Sequence, residues 1–163
     1  MIGDKMNKKF IGLLERLIQK LIIGFIHGRK IPFIGVIFYF ILKLLGIEIP
    51  IGVKIGKKLN LVHWANGLVI HPSTIIEDNV KIYQGVTLGR GDIYKSAKDS
   101  KMEGILIKEG AVICAGAKIL CKEGILIIGK NTVIGANSVI TSSTGDNEIW
   151  AGIPAKKIKN IHN

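Results

Sequence analysis

His63 is the residue best suited to acid–base chemistry in this chain. An imidazole titrates near neutral pH and can accept the proton of a hydroxyl it is bonded to. On residue type alone His63 reads either as a general base or as a histidine in a turn. The other histidines are His27, His71 and His162, with no H-x4-H spacing that would hold zinc, so no metal site is expected. His71 precedes Pro72 and reads as structural. Cys114 and Cys121 form no CxxC pair and no disulfide framework, which suits a reducing, cytoplasmic compartment. The formal charge of +11 favours anionic partners such as phosphorylated cofactors or anionic lipid. Zinc-finger, helix-turn-helix and aromatic–basic RNA motifs are missing, and nucleic acid is not expected.

Two unlike regions must position these groups. Residues 1–46 read as an N-terminal amphipathic helical segment. Phe10, Ile11, Leu14, Leu17, Ile18, Leu21, Ile22 and Phe25 fill one side, opposite Lys8, Lys9, Glu15, Arg16, Gln19, Lys20 and His27. Gly28-Arg29-Lys30-Ile31-Pro32 breaks the pattern, and a second apolar run follows from Phe33 to Leu45. That run is shorter than the roughly 20 apolar residues that span a bilayer. Residues 5–46 either pack on the rest of the molecule or lie on the inner membrane face with their cations toward anionic headgroups.

From Ile47 the period becomes six. Ile49, Ile55 and Leu61 are six apart, as are Ile70, Ile76, Ile82 and Leu88. Ile107, Ile113 and Ile119 continue the series, and then Ile128, Ile134 and Ile140. Glycine often follows, at Gly56, Gly89, Gly129 and Gly135, where a corner is expected to need an unusual φ. Small or branched residues stand four places on, at Val53, Val80, Val86, Ala117, Thr132 and Ser138. No helix keeps a period of six on one face. A short strand and a turn per hexad, three to a coil, does. The expected fold is mainly β: a triangular parallel β-helix over 47–157, followed by a tail, 158–163. The register slips across His63–Gly67, across an excursion loop at 90–104, and between Ile119 and Ile128. A solenoid tolerates such insertions at its corners, where binding residues collect.

Residues 47–157 resemble serine acetyltransferase and the O-acetyltransferases of exopolysaccharide and capsule pathways, hexapeptide-repeat acyltransferases with a left-handed β-helix. The motifs are Ile47-Glu48-Ile49-Pro50, Lys54-Ile55-Gly56, His63 with Gly67-Leu68-Val69-Ile70, the run Val80 to Gly89, Ala115 to Leu120, and Trp150 to Lys156. The resemblance implies left-handed coils and acetyl-CoA as donor. It implies a homotrimer with sites between adjacent prisms, His63 as general base, and Glu48, fifteen residues earlier, as its orienting carboxylate. On the donor side it implies that the pantetheine arm passes the small residues Ala115, Gly116 and Ala117. Lys118 and Lys156 would lie near the coenzyme phosphates, and Gly89 would face the thioester oxygen.

The departures concern the acceptor. Val62 stands where serine acetyltransferases carry an aspartate, and the 90–104 loop holds no histidine for their Arg–His pair. A carboxylate clamp of that kind is hard to replace. The expected acceptor is therefore a saccharide hydroxyl, with Trp64, Asn66, Gln84, Arg90 and Asp92 as candidate contacts. The alternatives are a serine O-acetyltransferase and a non-enzymatic solenoid. A zinc enzyme of the same fold lacks its histidines here.

Overall fold

The computed structural model describes residues 2–161, with side chains from Asn7 onward. His162 and the end of the expected tail lie outside the described residues.

Two helices come first, α1 (Ile2–Gly28) and α2 (Ile34–Leu44). Thirteen short strands then wind as β1 (Ile47–Glu48), β2 (Lys54–Ile55), β3 (Asn60–Leu61), β4 (Leu68–Ile70), β5 (Thr74–Ile76), β6 (Lys81–Ile82), β7 (Thr87–Arg90), β8 (Lys101–Ile107), β9 (Val112–Ile113), β10 (Lys118–Cys121), β11 (Glu123–Ile128), β12 (Val133–Ile134) and β13 (Val139–Ile140). A hairpin of β14 (Glu148–Gly152) and β15 (Ala155–Asn160) closes the chain. From β1 to β13 every third strand falls in the same parallel sheet, β1-β4-β7-β10-β13, then β2-β5-β8-β11, then β3-β6-β9-β12, and β14 joins the last of these beside β12. The result is a left-handed β-helical prism with three flat faces.

The hexad residues line its axis. Ile49, Leu61, Ile76, Ile82, Leu88, Ile107, Ile113, Ile119, Ile128 and Ile134 are all sealed from solvent, as are Val53, Val80, Val86, Ala117, Thr132 and Ser138. Two positions per hexad therefore point inward. The hexad glycines serve a different purpose from the one expected. Gly56, Gly89, Gly129 and Gly135 are absent from the positive-φ residues. A Cβ on Gly129 would fall on the Gly145 carbonyl, and one on Gly56 on the Asp78 carboxylate, so these two allow close approach between coils. Positive φ comes a few residues later. On one edge Gly46, Gly67, Gly85 and Gly116 stack at φ 76, 76, 70 and 71°. Each N–H from Gly67 on donates to the coil before it: Gly67 to Gly46 O, Gly85 to Asn66 O, Gly116 to Gln84 O, at 2.8–2.9 Å.

The excursion loop is shorter than expected, because Lys101–Gly104 already belongs to β8. The late slip near Ile119 has the same origin, since β11 begins at Glu123 beside Lys101 and extends the sheet outward. The expected tail boundary at 157/158 falls inside β15.

The helices are fastened by a buried cation. Arg29 is 2% exposed, and its guanidinium donates to Val53 O at 2.7 Å, to Pro50 O at 3.3 Å and to the Ile26 carbonyl. It caps α1 and ties it to the first coil in one side chain. Phe25 and Phe38 join α1 to α2 with ring centroids 5.1 Å apart.

Candidate functional site

The edge that carries the glycine stack also carries the candidate base. After β3 the chain makes one tight turn, Val62–Ala65, before entering β4. His63, Trp64 and Ala65 all take the left-handed conformation, at φ 50, 58 and 49°. For residues with a Cβ this costs about 1–2 kcal/mol each. Such strain persists where surrounding structure holds it, and it clusters at functional sites. Here Ala65 is buried and acts as the anchor, while His63 and Trp64 are pushed out to solvent. The imidazole faces the Tyr83 ring of the next coil, centroids 6.4 Å apart.

Along the same edge, Gln84 and Gly85 form the next corner, and Ala115 and Gly116 the one after. Neighbouring coils are about 5 Å apart, so the Ala115 step lies about 10 Å from His63. The edge therefore carries a candidate base at one end and small residues further along.

The nine-residue slip at His63–Gly67 contains the turn, but nothing in the periodicity shows what covers it. That element is α1. Gln19 Nε2 donates to Asn60 Oδ1 at 2.9 Å and to Leu61 O at 3.3 Å. The helix thus lies across the corner and leaves a groove of about 440 Å³, lined by Gly12, Glu15, Arg16, Gln19, Asn60, Leu61, Val62, His63 and Trp64. Glu15 and Arg16 are the functional candidates that sequence reasoning missed. In the sequence Glu15 is a polar position on an amphipathic helix and Arg16 one of its cations toward anionic headgroups. The sole pointer to this corner is that Arg16 follows Glu15 on the face away from the apolar stripe.

The remaining expected residues divide. Asn66 is structural, its Nδ2 donating to Leu45 O at 3.1 Å behind α2. The Gln84 side-chain oxygen is buried and, among the described residues, has no hydrogen-bond partner. Arg90 and Asp92 bind each other, Nε to Oδ1 at 3.0 Å, and Arg90 also donates to the carbonyls of Asp92 and Lys95. Burial opposes ionisation of Asp92, but hydrogen bonds from Ser100 and Arg90 and the Arg90 charge outweigh it and hold the carboxyl below its ordinary range. The pair therefore clamps the loop on itself. Glu48 lies 3.5 Å from Lys43 Nζ, and among the described residues no hydrogen bond joins it to His63. Ala117 is sealed in the core, so only its backbone is left to line a track. Lys118 reaches back to Gly85 O at 2.6 Å and Thr87 Oγ1 at 3.1 Å, which commits its ammonium to the glycine edge. Gly89 is open, with only Thr87 Cγ2 at 3.8 Å from a Cβ placed there, and Lys156 is exposed on β15. His71 is structural as expected. Its Nδ1 accepts from Ser73 N–H at 3.2 Å, and burial, then the Arg90 charge, lowers its pKa. No group of His, Cys, Asp and Glu suited to a metal ion occurs among the described residues.

The fold and this corner define a class: left-handed β-helical acyltransferases. Known proteins narrow it. The chain is 42% identical over 114 residues to a serine acetyltransferase of Staphylococcus aureus, a match that covers 70% of this chain and 49% of that protein. The crystal structure of serine acetyltransferase from Brucella abortus in complex with coenzyme A superimposes with a TM-score of 0.64 at 36% identity, covering 74% of this chain and 45% of that one. The Neisseria gonorrhoeae enzyme in complex with serine gives 0.64 at 30% identity, covering 77% and 49%. No family model matches the chain. It belongs to the hexapeptide-repeat acyltransferases and is serine acetyltransferase-like. It spans about half the length of these relatives.

Proposed function

We propose that this chain is an acetyl-CoA-dependent O-acetyltransferase whose acceptor is serine. The observation that carries the reading is the groove between α1 and the strained corner, where His63 stands opposite Glu15 and Arg16. A zwitterionic amino acid needs a cation for its carboxylate and an anion for its ammonium, and these two residues provide both charges. They answer the objection raised by the histidine-free loop, because the clamp comes from the helix and not from residues 91–100. The saccharide acceptor expected from the sequence finds no support among the relatives, which carry the name serine acetyltransferase.

In this mechanism the acceptor hydroxyl attacks the thioester carbonyl as His63 takes its proton. The carbon–sulfur bond breaks, the ester leaves with the acetyl group, and the proton on His63 passes to the departing coenzyme A thiolate. The pantetheine arm runs along the Ala115–Gly116 edge, with Gly89 on the adjoining face and Lys156 toward the phosphates. Glu48 serves as the orienting carboxylate once it leaves Lys43. A homotrimer would set a neighbouring prism against this edge and close the donor track. Residence in the cytoplasm suits two free thiols, both pushed up in pKa by burial.

One observation favours a second acceptor. Trp64 is 39% exposed beside His63, a flat apolar face of the kind that stacks on a sugar ring. Steady-state acetyl transfer to L-serine and to a panel of neutral saccharides separates the two. The proposal expects L-serine to be the better acceptor and Arg16→Gln to raise its KM about tenfold or more, as loss of a charged hydrogen bond does. Faster transfer to a saccharide, unchanged by Arg16→Gln, overturns serine and favours the sugar.

A further inference from the structure

The groove uses only one side of α1, and another side has no role in it. Phe10, Leu14, Leu17 and Leu21 recur at spacings of four, three and four, which puts them in one stripe. All four are exposed, Phe10 by 67%. Ile22 and Ile26, on a different side of the helix, are buried in the core, and Ile18, Ile23 and Phe25 pack against it. The stripe is therefore apolar surface that the prism leaves uncovered. The same layer exposes Val36, Ile37, Phe40 and Leu44 on α2, and Phe33 in the connection is 93% exposed. Monomeric soluble proteins rarely show apolar area this continuous without a partner.

The charges beside the stripe identify the partner. Lys9, Arg16 and Lys20 each precede a stripe residue by one position, so they form a row about 100° around the helix from it. A second copy of the chain laid antiparallel, stripe to stripe, would bring two such rows to the same side, like charge against like. A bilayer with anionic headgroups offers acyl chains for the stripe and opposite charge for the row, with lysine stems long enough to reach the headgroup level. No described helix is long and apolar enough to cross a membrane, so the contact lies in the interface plane. We infer that α1 docks this protein on an anionic membrane surface, Phe10, Leu14, Leu17 and Leu21 inward and Lys9 and Lys20 at the headgroups. This holds whichever hydroxyl is acetylated.

The test is flotation of the full chain with vesicles of phosphatidylglycerol and phosphatidylcholine in equal parts, and with phosphatidylcholine alone. Binding is expected to the anionic vesicles, weakened at least tenfold by high salt, by Lys9→Gln with Lys20→Gln, and separately by Leu14→Gln with Leu17→Gln. Both variants change exposed residues outside the groove, so acetyl transfer to soluble acceptor should stay at the wild-type rate and report that they fold. Failure of the wild-type protein to float with either vesicle overturns the inference. So does equal flotation with both vesicles, untouched by salt or by the lysine changes. Self-association measured by sedimentation, abolished by Leu14→Gln with Leu17→Gln in a protein that does not float, assigns the stripe to a second copy and also overturns it.

Discussion

The prism and the helical layer bury their aliphatic residues by opposite rules. In the prism every inward hexad position from Ile76 to Ile134 is covered by the coil above and the coil below. Among the described residues of α1, Ile22 and Ile26 are the sealed aliphatic ones, while Phe10, Leu13, Leu14, Leu17 and Leu21 remain 47–67% exposed. A solenoid completes its core within one chain, since each repeat needs only its neighbours. The helices contribute little to that core. What holds them is Ile22, Ile26 and Leu42, which enter that core, and a handful of specific bonds, among them those of Arg29, Gln19 and Asn66. The layer covers the His63 corner on one side and leaves the stripe of Phe10, Leu14, Leu17 and Leu21 exposed on another.

That contrast makes quantitative statements possible. Ile113→Ala, in the middle of the prism, should destabilise by about 2–5 kcal/mol, the usual range for a large-to-small change in a sealed core. Urea unfolding measures it. Arg29→Ala should come next, at about 2–3 kcal/mol for loss of hydrogen bonds to a charged donor. Its signature should be local: limited proteolysis should release α1 and α2 while the prism survives. Simultaneous loss of both regions would mean that the layer is integral to the solenoid after all. A smaller effect is expected at the closing hairpin. Hydrogen bonds from Lys157 and Trp150 to Glu148 hold that carboxyl below its ordinary range against the cost of its burial. A depressed folded pKa gives stability that is present above the unfolded value, near 4.3, and is lost as pH falls through the folded one. Acid titration followed by Trp fluorescence should therefore show the β14–β15 hairpin loosening below about pH 4, and Glu148→Gln should remove that step. The smallest effect belongs to the exposed stripe: Leu17→Ala should shift stability by no more than about 0.5 kcal/mol.

The same contrast explains what could be read from sequence. The period of six reports which side chains point to the axis, and every such position from Ile70 to Ile140 is buried. The presence of two helices and the break near Gly28–Pro32 follow from local periodicity and are found in place. Contacts between regions are another matter. Nothing in the spacing of Glu15 and Arg16 shows that α1 crosses the His63 corner, because that depends on Gln19 meeting Asn60, 41 residues away. Lys118 looks like a free cation in a motif, yet its partners are 33 and 31 residues earlier, one coil below. The left-handed run His63-Trp64-Ala65 has no glycine to announce it, and only the burial of Ala65 makes it legible. Loop limits failed for a related reason. Lys101–Glu103 is polar by composition but gains strand pairing from Glu123 and Gly124 in the next coil.

The proposed acetyl transfer rests on one imidazole at one strained edge. The decisive measurement is acetyl transfer from acetyl-CoA by purified His63→Ala, read as coenzyme A thiol released and ester formed with L-serine, beside circular dichroism and thermal unfolding of the same sample. A general base contributes about 10²–10⁴-fold, so transfer should fall by at least 10²-fold while the β-helix melts as the wild type does. A folded His63→Ala protein that transfers acetyl at close to the wild-type rate would contradict the assignment of the edge, and with it the function proposed for this chain.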